Sequence, residues 1–269
     1  MKDIKPNLNA VIGDCKLSFP FDHIVVDNFF SDSHALQLEK EFPAFESDFW
    51  FVYNNKIENK KALNDWNRFP SWTYQTFAYL CSDDFVSFLS DAFGVKLYAD
   101  PGLHGGGWHI HGPGGNLNPH LDYHLHPKLR LVRKLNLIIY LSKDIEPSIH
   151  GGHLGLWEHD EQAGQPRRLV KEIEPSFNRA VLFDTTQNSW HGMSRMLSAE
   201  DGIYRKSLAV YYMTDPGEDC FQKRQRALFA PRSDQYSDQD VLEQIRKRVD
   251  LEASQEVYIV RKGTAHTDE

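Results

Sequence analysis

Residues 135–142 read LNLIIYLS, a run of Leu, Ile and Tyr with one Asn inside it and a Ser at its end. β-Branched and aromatic side chains suit a pleated, half-buried surface, so the run reads as a strand. Its neighbours in the chain repeat the character. KLYA (96–99), GGWHIHG (106–112), GHLGLWEHD (152–160), RAVLFDTT (179–186) and RKSLAVYYMT (205–214) are short and rich in Val, Ile, Leu, Tyr and Trp. Gly, Pro, Asn and Asp punctuate them, and no helix of convincing length interrupts the run. Many short strands joined by turns predict a sandwich or jelly roll.

The first third reads as mainly helical with one strand. FDHIVVDNFF (21–30) is that strand. SDSHALQLEKEFP (31–43) opens with capping residues and stops before Pro43, which suits a short helix. In SDDFVSFLSDAFG (82–94), Ser82 can cap a helix and Gly94 can end it. Phe85, Phe88, Leu89 and Phe93 fall on one face of it, a stripe that belongs to a core. After Pro216 the chain turns polar. SDQDVLEQIRKR (237–248) is a capped amphipathic helix, followed by a possible last strand EVYIV (256–260) and a disordered end. Residues 49–72, FWFVYNNKIENKKALNDWNRFPSW, show neither period. They fit either a mobile lid or a surface connection pinned by its aromatic residues.

The 269 residues can bury a real core, and 41% hydrophobic with 25% charged residues is the balance of a soluble globular chain. A net charge of −8 argues against a nucleic-acid partner. The local basic cluster Lys128, Arg130, Arg133 and Lys134 reads as a solvated strand edge. Cys15, Cys81 and Cys220 match no zinc or redox spacing, which suits a reducing compartment. The opening MKDIKPNLNAVIGD lacks an apolar signal core, and no apolar run reaches membrane-spanning length. The expectation is a soluble, cytoplasmic protein with no membrane partner.

Chemistry concentrates in NPHLDYHLHP (118–127), where His120 and Asp122 form an H-x-D pair. With 13 His in the chain, on the order of one such pair arises by chance. A second, His266 with Asp268, does occur in the polar tail. A metal therefore needs a third ligand. His191 offers it, after the strand 180–184 and a polar loop, unless it is a plain loop or core histidine. Two imidazoles and one carboxylate bind Fe(II) on one face of an octahedron and leave three positions open. Arg205 then opens the strand RKSLAVYYMT. A buried guanidinium at the head of an apolar strand requires an anion, and its planar fork suits a carboxylate. Ser207 shares its face, since the strand period is two. Tyr140 can add a phenolic hydrogen bond. An internal pair with Asp or Glu would also satisfy Arg205.

In this order the motifs resemble the Fe(II)/2-oxoglutarate oxygenases, and within them the prolyl-4-hydroxylase-like branch. PFDHIVVDNFF, PGGNLNPHLDYH, RKLNLIIYLSKD, GGHLGLWE, PSFNRAVLFDTTQNSWHG and RKSLAVYYMT carry the resemblance over residues 20–215 or so. The chain is most similar to a microbial subgroup of largely unassigned substrate. The resemblance implies a double-stranded β-helix core at 96–215. An N-terminal strand and helices (1–95) would pack on it, and a helical extension and tail (216–269) would complete one compact domain. It implies His120, Asp122 and His191 as iron ligands. Arg205 would hold the distal carboxylate of 2-oxoglutarate, with Tyr140 and Ser207 assisting. O2 is the further co-substrate, and ascorbate is a candidate reductant. The spacing from His191 to Arg205 is longer than in oxygen-sensing relatives, so Arg179 and Lys206 stand as alternative anchors.

His109 and His111 alternate along one strand and face one side. They would line the pocket or form a cupin-type site, with His111 the better pocket candidate. His124, His126, His150 and His153 read as supporting or turn residues. A cupin-type non-oxygenase would need neither Arg205 nor 2-oxoglutarate. A jelly-roll binding module would need no metal. The set His120, Asp122, His191 and Arg205 argues against both. A peptidyl residue, a free amino acid, a sugar and a lipid all remain compatible as substrate.

Overall fold

The computed structural model describes residues 18–217 and 226–250. Cys15, Cys220, the EVYIV segment, His266 and Asp268 lie outside the described residues. In chain order the first strands are β1 (His23–Val26), β2 (Phe51–Asn54), β3 (Glu58–Leu63), β4 (Tyr98–Ala99), β5 (Gly107–His111), β6 (Asn116–Leu117) and β7 (His120–Leu121). They are followed by β8 (Val132–Tyr140), β9 (Leu154–Asp160), β10 (Gln165–Ile173), β11 (Ala180–Asp184), β12 (Trp190–Met193), β13 (Arg205–Thr214) and β14 (Leu228–Phe229). The helices are α1 (Asp32–Lys40), α2 (Ser71–Leu80), α3 (Asp83–Phe93), α4 (Pro147–His150) and α5 (Gln239–Val249).

One sheet runs β1-β11-β8-β13-β5-β3-β2, with β4 added on β13 and β6 on β3; the other runs β10-β9-β12-β7-β14. Strands distant in sequence thus lie side by side, the arrangement of a double-stranded β-helix. The central strand β8 explains why LNLIIYLS is apolar almost throughout: both of its faces are covered. Leu135, Leu137 and Ile139 join the core formed with α1, α2 and α3, including Phe29, Leu38, Phe77, Leu89 and Trp108. Ile138 and Tyr140 face the other way, toward Leu154, Leu156, Val181 and Phe183 between the sheets.

The helices form where their caps predict. The Ser31 hydroxyl accepts from the His34 amide at the start of α1, and the Ser82 hydroxyl accepts from the Phe85 amide at the start of α3. Gly94 ends α3 at φ 64°, a left-handed conformation that glycine adopts without a Cβ clash. Phe85 and Leu89 are buried, and Phe88 and Phe93 pack against the same core half-buried.

Four features depart from the sequence reading. The strand expected over 21–30 covers only His23–Val26, because Asn28 turns left-handed at φ 51° and sends Phe29 and Phe30 into the helical core. Residues 49–72 are not a loop: β2 and β3 form a hairpin zipped to β5 through Lys61↔Ile110, Ala62↔His109 and Leu63↔Trp108. Long polar side chains hid the strand period. Lys61 lays its stem along Phe45, with Nζ 3.8 Å from the ring centroid, and Lys60 pairs with Glu58 at 3.1 Å. Helix α2 follows directly, so the first third holds three strands rather than one. Past Pro216, β14 joins the second sheet through Leu228↔Leu121 and Phe229↔His120. Among the described residues no helix is long and apolar enough to cross a membrane.

Candidate active site

The ladder between β7 and β12 pairs His120 with His191, bringing their ring centroids to 4.3 Å. Asp122 lies two residues beyond His120. The three side chains offer ligand atoms all within 4.8 Å of one another, and all three are buried. Backbone carbonyls fix the rings: His120 Nδ1 meets the Asn118 carbonyl at 3.0 Å and His191 Nδ1 meets the Ser189 carbonyl at 2.9 Å. A carbonyl only accepts, so each Nδ1 carries the proton and each Nε2 keeps its lone pair. Those Nε2 atoms face Asp122, His120 toward Oδ1 and His191 toward Oδ2, both at 3.8 Å. Burial, reinforced by the neighbouring His191, pushes the His120 pKa down to about 3, so its imidazole is neutral near pH 7.

Burial alone would raise the Asp122 pKa. His191, Arg133, His120 and a hydrogen bond from Tyr211 outweigh it and hold the carboxyl below the usual carboxylate range. Tyr211 Oη donates to Asp122 Oδ1 across 3.4 Å, and Arg133 Nη1 lies 3.9 Å from the same oxygen. Two aromatic walls complete the centre. Phe229 stacks on His120, and Phe183 leans on His191 with centroids 4.6 Å apart.

The basic cluster at 128–134 is not simply a solvated edge. Arg133 is only 2% exposed, its guanidinium clamped between the rings of Tyr123 and Tyr211 at 3.6 and 3.7 Å. It donates to the His104 carbonyl and to Tyr123 Oη, and Lys134 pairs with Asp184. Composition suggested solvation because the tyrosines that enclose Arg133 come from a different loop and strand. Local sequence carries no sign of them.

At the other end of the barrel, Arg205 is 5% exposed. Its Nε donates to the Gly152 carbonyl at 2.7 Å and its Nη2 to Tyr140 Oη at 3.1 Å. Glycine at 152 is what lets the arginine stem pass, since a Cβ there would lie 3.1 Å from Arg205 Cδ. No carboxylate among the described residues pairs with this guanidinium, and burial lowers its pKa from the ordinary value. The alternative anchors are committed elsewhere: Arg179 to Asp27 and Lys206 to Glu39, each at 2.6 Å. Opposite Arg205 in the ladder stands His111, 2% exposed, with neither ring nitrogen hydrogen-bonded. Burial, then the Arg205 charge, drives its pKa well below the usual histidine value. Ser207, also buried, lies across from Tyr140 and His109.

The remaining histidines divide. His109 faces the same side as His111 but is only half-buried. His126 is a fastener: Nε2 meets Asp100 at 3.2 Å while Nδ1 accepts from the Lys128 and Leu129 amides. The His124 carbonyl accepts from the Arg133 amide, and His150 Nδ1 accepts from the Glu146 amide beneath α4. His153 is buried at the start of β9. The metal-capable group among the described residues is His120, Asp122 and His191; His109 and His111 form no cupin-type set.

A double-stranded β-helix with two histidines and an aspartate converging on one sheet, and a carboxylate-free arginine on the other, defines a class. Residues 106–213 match the model of the 2OG-Fe(II) oxygenase superfamily. It is 28% identical over 183 residues to the prolyl 3-hydroxylase OGFOD1 of Mus musculus, a match covering 67% of this chain and 31% of the mouse protein. The chain spans about a third of the length of the curated relatives it matches. Two solved structures share the fold. A Pseudomonas putida prolyl-4-hydroxylase superposes with a TM-score of 0.55 at 17% identity, over 78% of this chain and all (100%) of that one. A Trichoplax adhaerens prolyl hydroxylase, solved with a hypoxia inducible factor peptide fragment, gives 0.50 at 18%, over 71% and 83%.

Proposed function

We propose that this chain is a non-haem Fe(II)/2-oxoglutarate-dependent dioxygenase. It would hydroxylate a C–H bond of a peptidyl or small-molecule substrate, release succinate and CO2, and so belong to the EC 1.14.11 type. His120, Asp122 and His191 hold Fe(II), a role that two imidazoles with their Nε2 atoms aimed at a low-pKa carboxylate suit. Arg205 and Tyr140 hold the distal carboxylate of 2-oxoglutarate, and Ser207 and His111 line its pocket. The bound iron supplies the redox chemistry that couples dioxygen to oxidative decarboxylation of 2-oxoglutarate. The protein contributes geometry and dryness. The Nδ1–carbonyl bonds aim both imidazoles, Tyr211 and Arg133 fix one carboxylate oxygen, and the aromatic walls keep water from the centre.

The observation that carries this reading is Arg205, a buried guanidinium with no carboxylate among the described residues beside it. Two further polar atoms nearby, the ring nitrogens of His111, also wait for a partner. A dicarboxylate can accept from the Arg205 guanidinium and from the single N–H that a neutral His111 carries. The name of the mouse relative makes a prolyl residue the first substrate to test. We take the described residues as one catalytic unit and the cytoplasm as its compartment, with ascorbate as a reductant. The deciding experiment is anaerobic titration of 2-oxoglutarate into Mn(II)-loaded protein. Saturable binding that requires both the metal and Arg205 supports the reading. Binding indifferent to both sinks it.

A further inference from the structure

The strand β8 contains one amide in its apolar run, Asn136, and Asn is a poor choice for a central strand. Its place in the ladders is specific. Asn136 is the Cα partner of Phe183 on one side and of Tyr211 on the other. Residues directly opposite in antiparallel strands project to the same face, so the three side chains share the barrel interior. Phe183 touches His191, and Tyr211 donates to Asp122. Asn136 therefore lies between two side chains that each rest on a proposed metal ligand.

The side chain is 2% exposed, its Oδ1 has no hydrogen-bond partner, and its NH2 group, the half of the amide that can donate to a carboxylate, bonds no protein atom among the described residues either. Buried amides are almost always hydrogen-bonded, because leaving them dry forfeits their hydration without replacement. The same face of β8 carries Tyr140 four residues on, beside Arg205. A molecule with one carboxylate at Arg205 and the other at the triad runs along this face, and Asn136 stands at the triad end.

We propose that the Asn136 amide donates a hydrogen bond to the metal-end carboxylate of 2-oxoglutarate, the one next to the keto group. Arg205 reads the far carboxylate by charge. Asn136 reads the near one by direction. The inference rests on the oxygenase reading above, and its test separates the two.

Affinity is measured anaerobically in Mn(II)-loaded protein for 2-oxoglutarate and for pentanoate, which keeps a carboxylate for Arg205 and has none at the other end. Asn136→Leu, which keeps the branched shape and removes the donor, weakens 2-oxoglutarate by about tenfold, the scale of one hydrogen bond to a charged group. Its Mn(II) and pentanoate affinities stay within about twofold of the parent, below the worth of a hydrogen bond. Asn136→Asp, isosteric but charged, weakens 2-oxoglutarate further by setting like charges together, with circular dichroism as the control for the cost of burying the new carboxylate. Unchanged 2-oxoglutarate affinity in both variants overturns the assignment. So does a fall in Mn(II) affinity of equal size, which would make Asn136 a support for the ligands. A change confined to the KM of a prolyl peptide gives the amide to the substrate and also overturns it. Failure of the oxygenase reading looks different, because Arg205→Ala would then leave 2-oxoglutarate binding untouched.

Discussion

Phe229 and His120 face each other as Cα partners across β14 and β7, and their rings stack 16° from parallel with centroids 5.0 Å apart. A residue beyond the matched family region thereby sets the wall behind a proposed metal ligand. The same ring carries the Arg248 guanidinium 4.8 Å above it, and Arg248 pairs with the buried Glu58 of the hairpin. Phe229→Ala is expected to cost about 3–5 kcal/mol in denaturant unfolding. It should also weaken Mn(II) binding, because His120 loses its backing. A variant with parental stability and parental metal affinity would show that the stack is incidental.

Arg205→Ala should weaken 2-oxoglutarate binding by about 2–5 kcal/mol, hence tenfold at the least, with Mn(II) affinity little changed. Lysine at 205 should restore only part, since it lacks the planar fork. Calorimetric titration of both variants decides it. If the loss appears in metal binding instead, the two halves of the site are not separable in this way.

Asp122→Ala should abolish most metal affinity, and Tyr211→Phe should weaken it more modestly. The second change removes one hydrogen bond to a charged oxygen, about 1.5–3 kcal/mol, while keeping the ring that covers Arg133. Metal titration with circular dichroism as a fold control separates the two effects. Equal losses in both variants would contradict the assigned division of labour.

Acid should destabilise the metal-free protein earlier than carboxylate titration alone would. His120 and His111 have folded-state pKa values below the unfolded value, His120 at about 3. Below pH ~6.5, the unfolded imidazoles take up protons that the folded ones refuse. Their contribution is therefore complete above that pH and erodes as pH falls toward the folded values. The slope is about 1.4 kcal/mol per pH unit for each such histidine. The same depression moves proton competition for His120 by metal far below the free-imidazole value near ~6.5. Denaturant midpoints between pH 7 and 4 test the stability claim, and a flat profile would refute it.

The hairpin should behave as sheet rather than lid. Amides of Lys61, Ala62 and Leu63 lie on the strand paired with β5, so hydrogen exchange should find them protected without any ligand. Excising Asn54–Asn64 should destabilise the protein broadly, where loss of a lid would only uncouple turnover. Rapid exchange of these amides in the ligand-free protein would restore the lid.

The core of the site was legible because its parts sit in short, ordered motifs. His120 and Asp122 share a strand face, His191 follows a strand, and Arg205 heads one. Arg133, Tyr211, Phe229 and Asn136 were not legible as site residues. Each acts through a partner far away in sequence: Arg133 is enclosed by Tyr211, Phe229 backs His120 from beyond residue 215, and Asn136 is placed by two ladders at once. The β2–β3 hairpin was missed for a related reason, since Lys60 and Lys61 occupy strand positions with one ammonium paired to Glu58 and the other seated over the Phe45 ring.

The triad stands on one sheet, while Arg205, Tyr140 and His111 stand on the other. Any molecule that grips both is a rivet between two leaves. Metal alone fastens one leaf to itself, and a dicarboxylate alone grips only the opposite leaf. Together they cross-link the barrel, so the melting temperature should rise with both by more than the sum of the separate increments. Each turnover that consumes the dicarboxylate would then also withdraw the rivet, and the leaves would loosen when the next molecule has to enter.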